Sequence, residues 1–135
     1  MKLLIIKPFT LSVTTYNHAT QLFEGRFKSI ITENKLEIHN FSVNFGGYDT
    51  ILFSKVLKAD SILEYISNFN LDTLRDFYYN EQVFPTSGNE MEFEYSKQGK
   101  VKNIYLHSYY NAQIGIIISL ANELIPNKYK INYGQ

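Results

Sequence analysis

Acidic and apolar residues alternate without a break from Glu90 to Tyr95. Glu90, Glu92 and Glu94 fall on one side, and Met91, Phe93 and Tyr95 on the other. Period-two alternation is the pattern of a half-buried strand. Gln98-Gly99 follows, and glycine supplies the positive φ that a tight two-residue hairpin turn requires. The pattern predicts a β-hairpin over Asn89–Ser96 and Val101–His107, with its register fixed by that turn. Phe93 then lies opposite Ile104 and Met91 opposite Leu106, while Glu94 meets Asn103, Glu92 meets Tyr105 and Glu90 meets His107. A slip of one residue would set Ile104 and Leu106 among the glutamates, so burial enforces the pairing.

The pattern then changes period. Ile114, Ile117, Ile118, Ala121, Leu124 and Ile125 recur at spacings of three and four, which predicts a helix over Asn111–Ile125 with one apolar stripe. Asn111 is its N-cap, and Pro126 ends it. The large side chains of the stripe at roughly 1.5–3 kcal/mol each give on the order of 10 kcal/mol of gross burial, before ordering entropy is subtracted. Ile116 and Leu120 lie off the stripe, which predicts cover on more than one side. The run is too short to span a bilayer, which takes about 20 residues. The stretch from Gly88 to Pro126 is the core unit around which the chain is organised.

Upstream, Phe9 to Tyr16 alternates as a strand, and Asn17-His18-Ala19-Thr20 is a polar break. Leu22 to Thr32 reads as a second strand, with Phe23, Phe27 and Ile31 in phase and Glu24, Arg26 and Lys28 opposite. Glu33-Asn34-Lys35 turns the chain into Leu36–Phe45, whose apolar phase shifts at Asn40; a bulge at that point accommodates the shift. Gly46-Gly47 is a turn leading into Thr50–Leu57, so the first 58 residues predict an antiparallel meander. Ile62, Leu63 and Ile66 fit a helix, with Ser61 and Glu64 at capping-box spacing. Leu71, Leu74, Phe77 and Tyr78 also fit helical spacing, although Phe77-Tyr78-Tyr79 suits a strand equally well. Glu81 to Asn89 is loop, and Tyr129, Ile131 and Tyr133 alternate with Lys128, Lys130 and Asn132 as a short final strand. The expected fold class is α+β in one domain: an antiparallel sheet with helices packed mainly on one face.

Composition narrows the setting. The absence of cysteine excludes a disulfide framework and a thiolate metal site. Four apolar residues after Lys2 are too few for a signal peptide, so a cytoplasmic location is expected. Eleven Lys against two Arg, with abundant Ile, Asn, Tyr and Phe, reflects AT-rich codons and points to an AT-rich bacterial genome. The net charge is zero but unevenly spread. Residues 1–58 hold seven basic and four acidic side chains, net +3. Residues 59–94 hold eight acids against Arg75, net −7, and residues 95–135 hold five lysines and Glu123, net +4. Asymmetry of this kind speaks to partners rather than to fold.

Motifs for chemistry are missing. His18, His39 and His107 lie in no metal-ligand spacing, so no metal site or cofactor is expected. His107 beside Glu90 is read as a cross-strand hydrogen bond on a solvated face rather than a general acid–base couple. Asp72 and Asp76, at i,i+4 spacing, are read as surface acids of a helix rather than paired carboxylates. Glu90, Glu92 and Glu94, spread over roughly 13 Å of strand, cannot converge on one ion. No phosphate loop, dinucleotide fingerprint or nucleophile elbow occurs, and no catalytic residue is assigned. Dispersed basic residues and a near-neutral pI of 6.8 argue against nucleic acid as partner. What remains is a surface: Asp72, Asp76, Tyr78, Tyr79, Glu81, Glu90, Glu92, Glu94, Tyr105 and His107 combine amphipathic rings with acids, together with Tyr110 nearby. Codon bias for the tyrosines and solubility for the acids explain the same residues equally well.

The last third to half of the chain has a further layout. Ser87-Gly88-Asn89 precedes a strand, Lys100-x-Lys102-x-Ile104 forms the next, and Tyr109-Tyr110-Asn111 opens a helix ending Ala121-Asn122-Glu123-Leu124-Ile125-Pro126. Lys128-Tyr129-Lys130-Ile131-x-Tyr133 follows. This layout resembles small immunity proteins encoded beside polymorphic toxins in bacteria, which block a cognate toxin by binding it. The resemblance transfers no functional residue. It implies a non-enzymatic protein with a toxin as partner, the acidic, Tyr-rich surface meeting a basic active-site surface. Two other classes stay open: a small-ligand binder or enzyme with a pocket between sheet and helix lined by tyrosines and His107, and a self-assembling structural module.

Overall fold

The computed structural model describes residues 4–17, 26–42, 48–80 and 89–133. In chain order the elements are β1 (Phe9–Asn17), β2 (Arg26–Thr32), β3 (Lys35–Ser42), β4 (Tyr48–Val56), α1 (Ser61–Ser67), β5 (Phe77–Tyr79), β6 (Asn89–Lys97), β7 (Lys100–His107) and α2 (Ala112–Leu124). The expected start of the second strand at Leu22, with Phe23 and Glu24, lies outside the described residues. So do His18, Val43, Phe45, the Gly46-Gly47 turn and the Glu81–Gly88 part of the loop.

The hairpin β6–β7 forms in the predicted register, pair for pair. Gln98 (φ 51) and Gly99 (φ 78) both adopt positive φ, the geometry of a type I′ turn whose twist matches that of the flanking strands. Strand β1 then joins hairpin to meander. It pairs with β2 on one side and with β6 on the other, nine residue pairs long, so the order is β4-β3-β2-β1-β6-β7-β5. Strand β1 thus sits at the centre of one continuous sheet of seven strands among the described residues.

The sheet is mixed, not wholly antiparallel as the sequence pattern predicts. The exception is β5, which pairs parallel to β7. Residues 71–76 form no helix, because the Asn70 side chain accepts from the Asp72 N–H (2.9 Å) and the Leu74 N–H closes a single turn on the Leu71 carbonyl (3.0 Å). Leu71, Leu74 and Tyr78 are nevertheless buried, so a turn followed by a strand serves the same apolar spacing that a helix would.

Three further expectations need correction. The N-cap of α1 is Asp60, whose carboxylate accepts from the Leu63 N–H at 2.9 Å; Ser61 is the first helical residue, and the capping box shifts out of register. The register break in β3–β4 lies between Ile38 and His39, not at Asn40: Ile38 pairs with Phe53 and His39 with Ile51, leaving Leu52 as the extra residue on β4. The final strand is absent. Asn127–Tyr129 is a 3-10 turn, and Ile131 pairs with the Asn122 side chain, which accepts from its N–H (2.8 Å) and donates to its carbonyl (2.9 Å). One amide side chain supplies the two bonds a neighbouring strand would have made.

Burial gathers Leu11, Val13 and Ile31 of the meander, Phe93, Ile104 and Leu106 of the hairpin, Leu63 and Ile66 of α1 and Ile114, Ile117, Ile118 and Ala121 of α2 into one core. Asn111 caps α2 through the Ile114 N–H at 3.1 Å, as the sequence pattern predicts. Of the two residues off the stripe, Leu120 is half-buried and packs against the core, whereas Ile116 is 48% exposed and meets solvent rather than the cover predicted for it.

Candidate functional site

Strand alternation decides what the hairpin shows on the side away from Phe93 and Ile104. The register places Glu92 between Thr14 of β1 and Tyr105 of β7, and Tyr105 beside Phe77 of β5. In the next row Glu90 faces His107, and His107 is aligned with Tyr79. Glu94 lies between Ser12 and Asn103. Glu92 and Glu94 are exposed and Glu90 is half-buried.

The aromatic residues of this face form an ordered array. Phe77 stacks on Tyr105 with ring centres 5.2 Å apart and planes 14° apart. Tyr79 stacks on His107 at 5.1 Å and 17°, and Phe77 lies parallel to Tyr79 at 6.0 Å. Three adjacent strand positions, repeated across two rows, hold the rings in these planes. Phe77 was not among the residues that sequence reasoning selected. The signal was present: in a strand, Phe77 and Tyr79 share one face while Tyr78 takes the other.

The other selected residues are placed elsewhere. Tyr78 is buried on the core side, 6% exposed, where its hydroxyl accepts from the Arg75 N–H at 3.1 Å. It is a packing residue rather than a surface contact. Asp76 pairs with Lys102 at 3.0 Å, on the side of the hairpin opposite the glutamates. Asp72 acts on Lys97, whose ammonium donates to the Ser67 (3.3 Å) and Phe69 (2.7 Å) carbonyls. Burial lowers the Lys97 pKa, Lys7 adds to the effect, and Asp72 opposes it. Asp60 is consumed as a helix cap. The −7 segment is therefore not one surface: its acids divide between the core side and the outer face. Glu81 lies outside the described residues. Tyr110 packs instead on Tyr133, with ring centres 5.0 Å apart.

His107 corrects another expectation. It is 1% exposed, not on a solvated face, and neither ring nitrogen has a hydrogen-bond partner among the described residues. It meets Glu90 in register but forms no cross-strand hydrogen bond with it there. The predicted pocket between sheet and helix does not take His107 in, because this residue alternates with Leu106 and lies on the face away from that core residue.

Among the described residues no group of three or more His, Asp or Glu is close enough to hold a metal ion. No described helix is long and apolar enough to cross a membrane. Comparison with protein-family models, with curated proteins and with solved structures finds no match to this chain.

Proposed function

We propose that this chain is a non-enzymatic protein-binding module, an immunity protein that neutralises a cognate bacterial toxin in the cytoplasm by direct contact. In this reading both helices cover the sheet's apolar face, and the outer face of the β5–β7–β6 ribbon meets the toxin. The observation that supports it most is the pairing of exposed Glu92 and Glu94 with the Phe77, Tyr79 and Tyr105 array on a strand-fixed surface. Rigid aromatic rings lose little entropy on binding, and acids steer a basic partner towards them. Phe77, a large apolar side chain 55% exposed, gains most from being covered.

The test is a pull-down with the product of the neighbouring gene. Glu92→Lys with Glu94→Lys should abolish capture, whereas Asp72→Lys, on the other side of the hairpin, should leave it intact. Capture that survives the double charge reversal removes this face as the binding surface.

A small-ligand reading draws on one specific observation, the buried imidazole of His107 without a hydrogen-bond partner among the described residues. Thermal-shift screening of metabolites against the native chain and His107→Phe separates the two readings. A ligand that raises Tm only in the native chain supports the small-ligand site.

A further inference from the structure

Strand β4 is one edge of the sheet, with β3 as its single neighbour among the described residues. Its Thr50, Ile51, Leu52, Ser54, Lys55 and Val56 are exposed, Ile51 at 55% and Val56 at 78%. A long open edge with branched apolar side chains is a template for a further strand. Which strand it accepts depends on where its free backbone groups lie.

The Leu57 N–H donates to the Asn34 carbonyl at 2.8 Å, so position 57 turns its backbone groups towards β3. Alternation then turns those of Val56 and Ser54 away from β3. The register shift leaves Leu52 as an extra residue, so the phase changes there and the next outward positions are Ile51 and Asp49. Between Ser54 and Ile51 the outward positions are three residues apart, where a regular strand spaces them by two. A regular strand therefore matches one half of this edge and misses the other. A second β4 laid antiparallel carries the same irregularity at the same place. Ile51 then meets Ser54 of the other copy and Val56 meets Asp49, each pair occurring twice about a two-fold axis between Leu52 and Phe53.

We propose that two copies of this chain associate through β4 in this register. The ribbon gains about eight backbone hydrogen bonds, two for each of its four outward pairs. Ile51 and Val56 share the face away from the core, since their β3 partners His39 and Lys35 alternate with buried Ile38 and Leu36. Across the ribbon Ile51 lies diagonal to Val56 of the other copy, which covers both. Lys55 faces Thr50, whose neighbour in the sequence is Asp49, and the two lysines fall at opposite ends of the ribbon. Opposite charges adjoin there and like charges stay apart. Two strands of nine residues form a small contact beside a standard interface of about 1,600 Å², so the dimer is a weak one.

The experiment is sedimentation velocity of the full chain at concentrations rising into the hundreds of micromolar, where the dimer fraction should grow. Ser54→Pro should return the chain to monomer with Tm nearly unchanged, because the N–H it removes points away from β3. The chain has no cysteine, so a mixture of Ile51→Cys and Ser54→Cys reads the register under oxidised glutathione. Paired positions lie about 5.5 Å apart at Cα, within disulfide reach, so the mixed disulfide should form about tenfold faster than either like pair. A monomer at every concentration, a dimer that Ser54→Pro leaves intact, or disulfides without preference for the mixed pair overturn the proposal. Species larger than a dimer also overturn it, since pairing about a two-fold axis closes at two. Strand β4 lies at the opposite edge from β5, so these outcomes are independent of the toxin pull-down.

Discussion

The Tyr95 hydroxyl, rising from β6, donates its hydrogen bond to the Ile66 carbonyl in the last turn of α1. Tyr95 is 4% exposed, and burial pushes its phenol up to about 12 from the ordinary 10.0. A folded-state pKa above the unfolded one gives stability that is complete below about pH 10 and lost as pH rises towards 12. A rise of this size corresponds to roughly 2–3 kcal/mol across that window. Tyr95→Phe should flatten the alkaline arm of stability measured by urea unfolding between pH 9 and about 12. Tyr133, also raised by burial, leaves a residual slope of the same sign. At neutral pH the same variant should lose only about 1 kcal/mol, because the Ile66 carbonyl still accepts from the Phe69 N–H at 3.2 Å. An alkaline slope identical to the native chain's refutes the assignment.

The hairpin turn makes a sharper prediction about one residue. Gly99 sits at φ 78, where an L side chain is strained. Gly99→Ala should cost about 1–2 kcal/mol, a fall in Tm of several degrees for a domain of this size. Gln98, at φ 51, carries that strain already. Gln98→Asn should therefore stabilise by a few tenths of a kcal/mol, since Asn-Gly is the favoured type I′ pair. Calorimetry checks both, and a Tm drop in Gln98→Asn contradicts the turn assignment.

Gly115 lies in the first half of α2, where alanine would ordinarily gain about 1 kcal/mol of helix propensity. Here a Cβ would overlap the Tyr110 hydroxyl and lie 2.8 Å from its ring Cζ. Tyr110 cannot swing aside cheaply, because it stacks on Tyr133. Gly115→Ala should therefore destabilise by about 1–2 kcal/mol, against its propensity. In the background of Tyr110→Ala the same substitution should turn neutral or stabilising. A double-mutant cycle measures that coupling, and strict additivity would contradict the contact.

What the sequence made legible follows from where its information is local. The hairpin register could be written down because Gln98-Gly99 sets the turn and Met91, Phe93, Ile104 and Leu106 leave only one pairing that buries them. The α2 stripe was equally legible, since Ile114, Ile117, Ile118 and Ala121 repeat at one period. The failures have two causes: local side-chain contacts ended the helical spacing after Asn70 and moved the α1 cap to Asp60, and partners farther along the chain decided the rest. Phe77–Tyr79 became a strand because it pairs along the edge of β7, and Ile131 needs no neighbouring strand because Asn122 satisfies its backbone. Nothing in the spacing of Asp72, Asp76 and Glu90 could reveal that strand alternation and a Lys102 pairing send them to different sides. At the candidate site, Glu92 and Tyr105 were legible as a cross-strand pair. Phe77 was missed because its share in the array depends on a parallel strand contact that no local pattern encodes.

Asn122 offers a test of the C-terminal segment. Its side chain makes both backbone hydrogen bonds to Ile131, which is 8% exposed. Asn122→Ala should cost about 1–2 kcal/mol and should speed hydrogen exchange at the Ile131 amide far more than at the β6–β7 amides. Uniform acceleration across the sheet would mean that the segment is held by other contacts.

His107 carries the last prediction. Its imidazole is 1% exposed, stacked on Tyr79, and neither nitrogen has a hydrogen-bond partner among the described residues. A buried polar group without a partner costs free energy, whereas an apolar ring of similar shape keeps the stacking and removes the desolvated atoms. Most large substitutions at so buried a position destabilise by about 1–3 kcal/mol through overpacking. Phe is only slightly larger than His, so the two effects oppose each other and the desolvation gain should decide. His107→Phe should be neutral or more stable by up to about 1 kcal/mol in urea unfolding. A loss above about 1 kcal/mol would show that the imidazole nitrogens contribute a stabilising interaction within the chain, and would remove the observation on which the small-ligand reading of this residue draws.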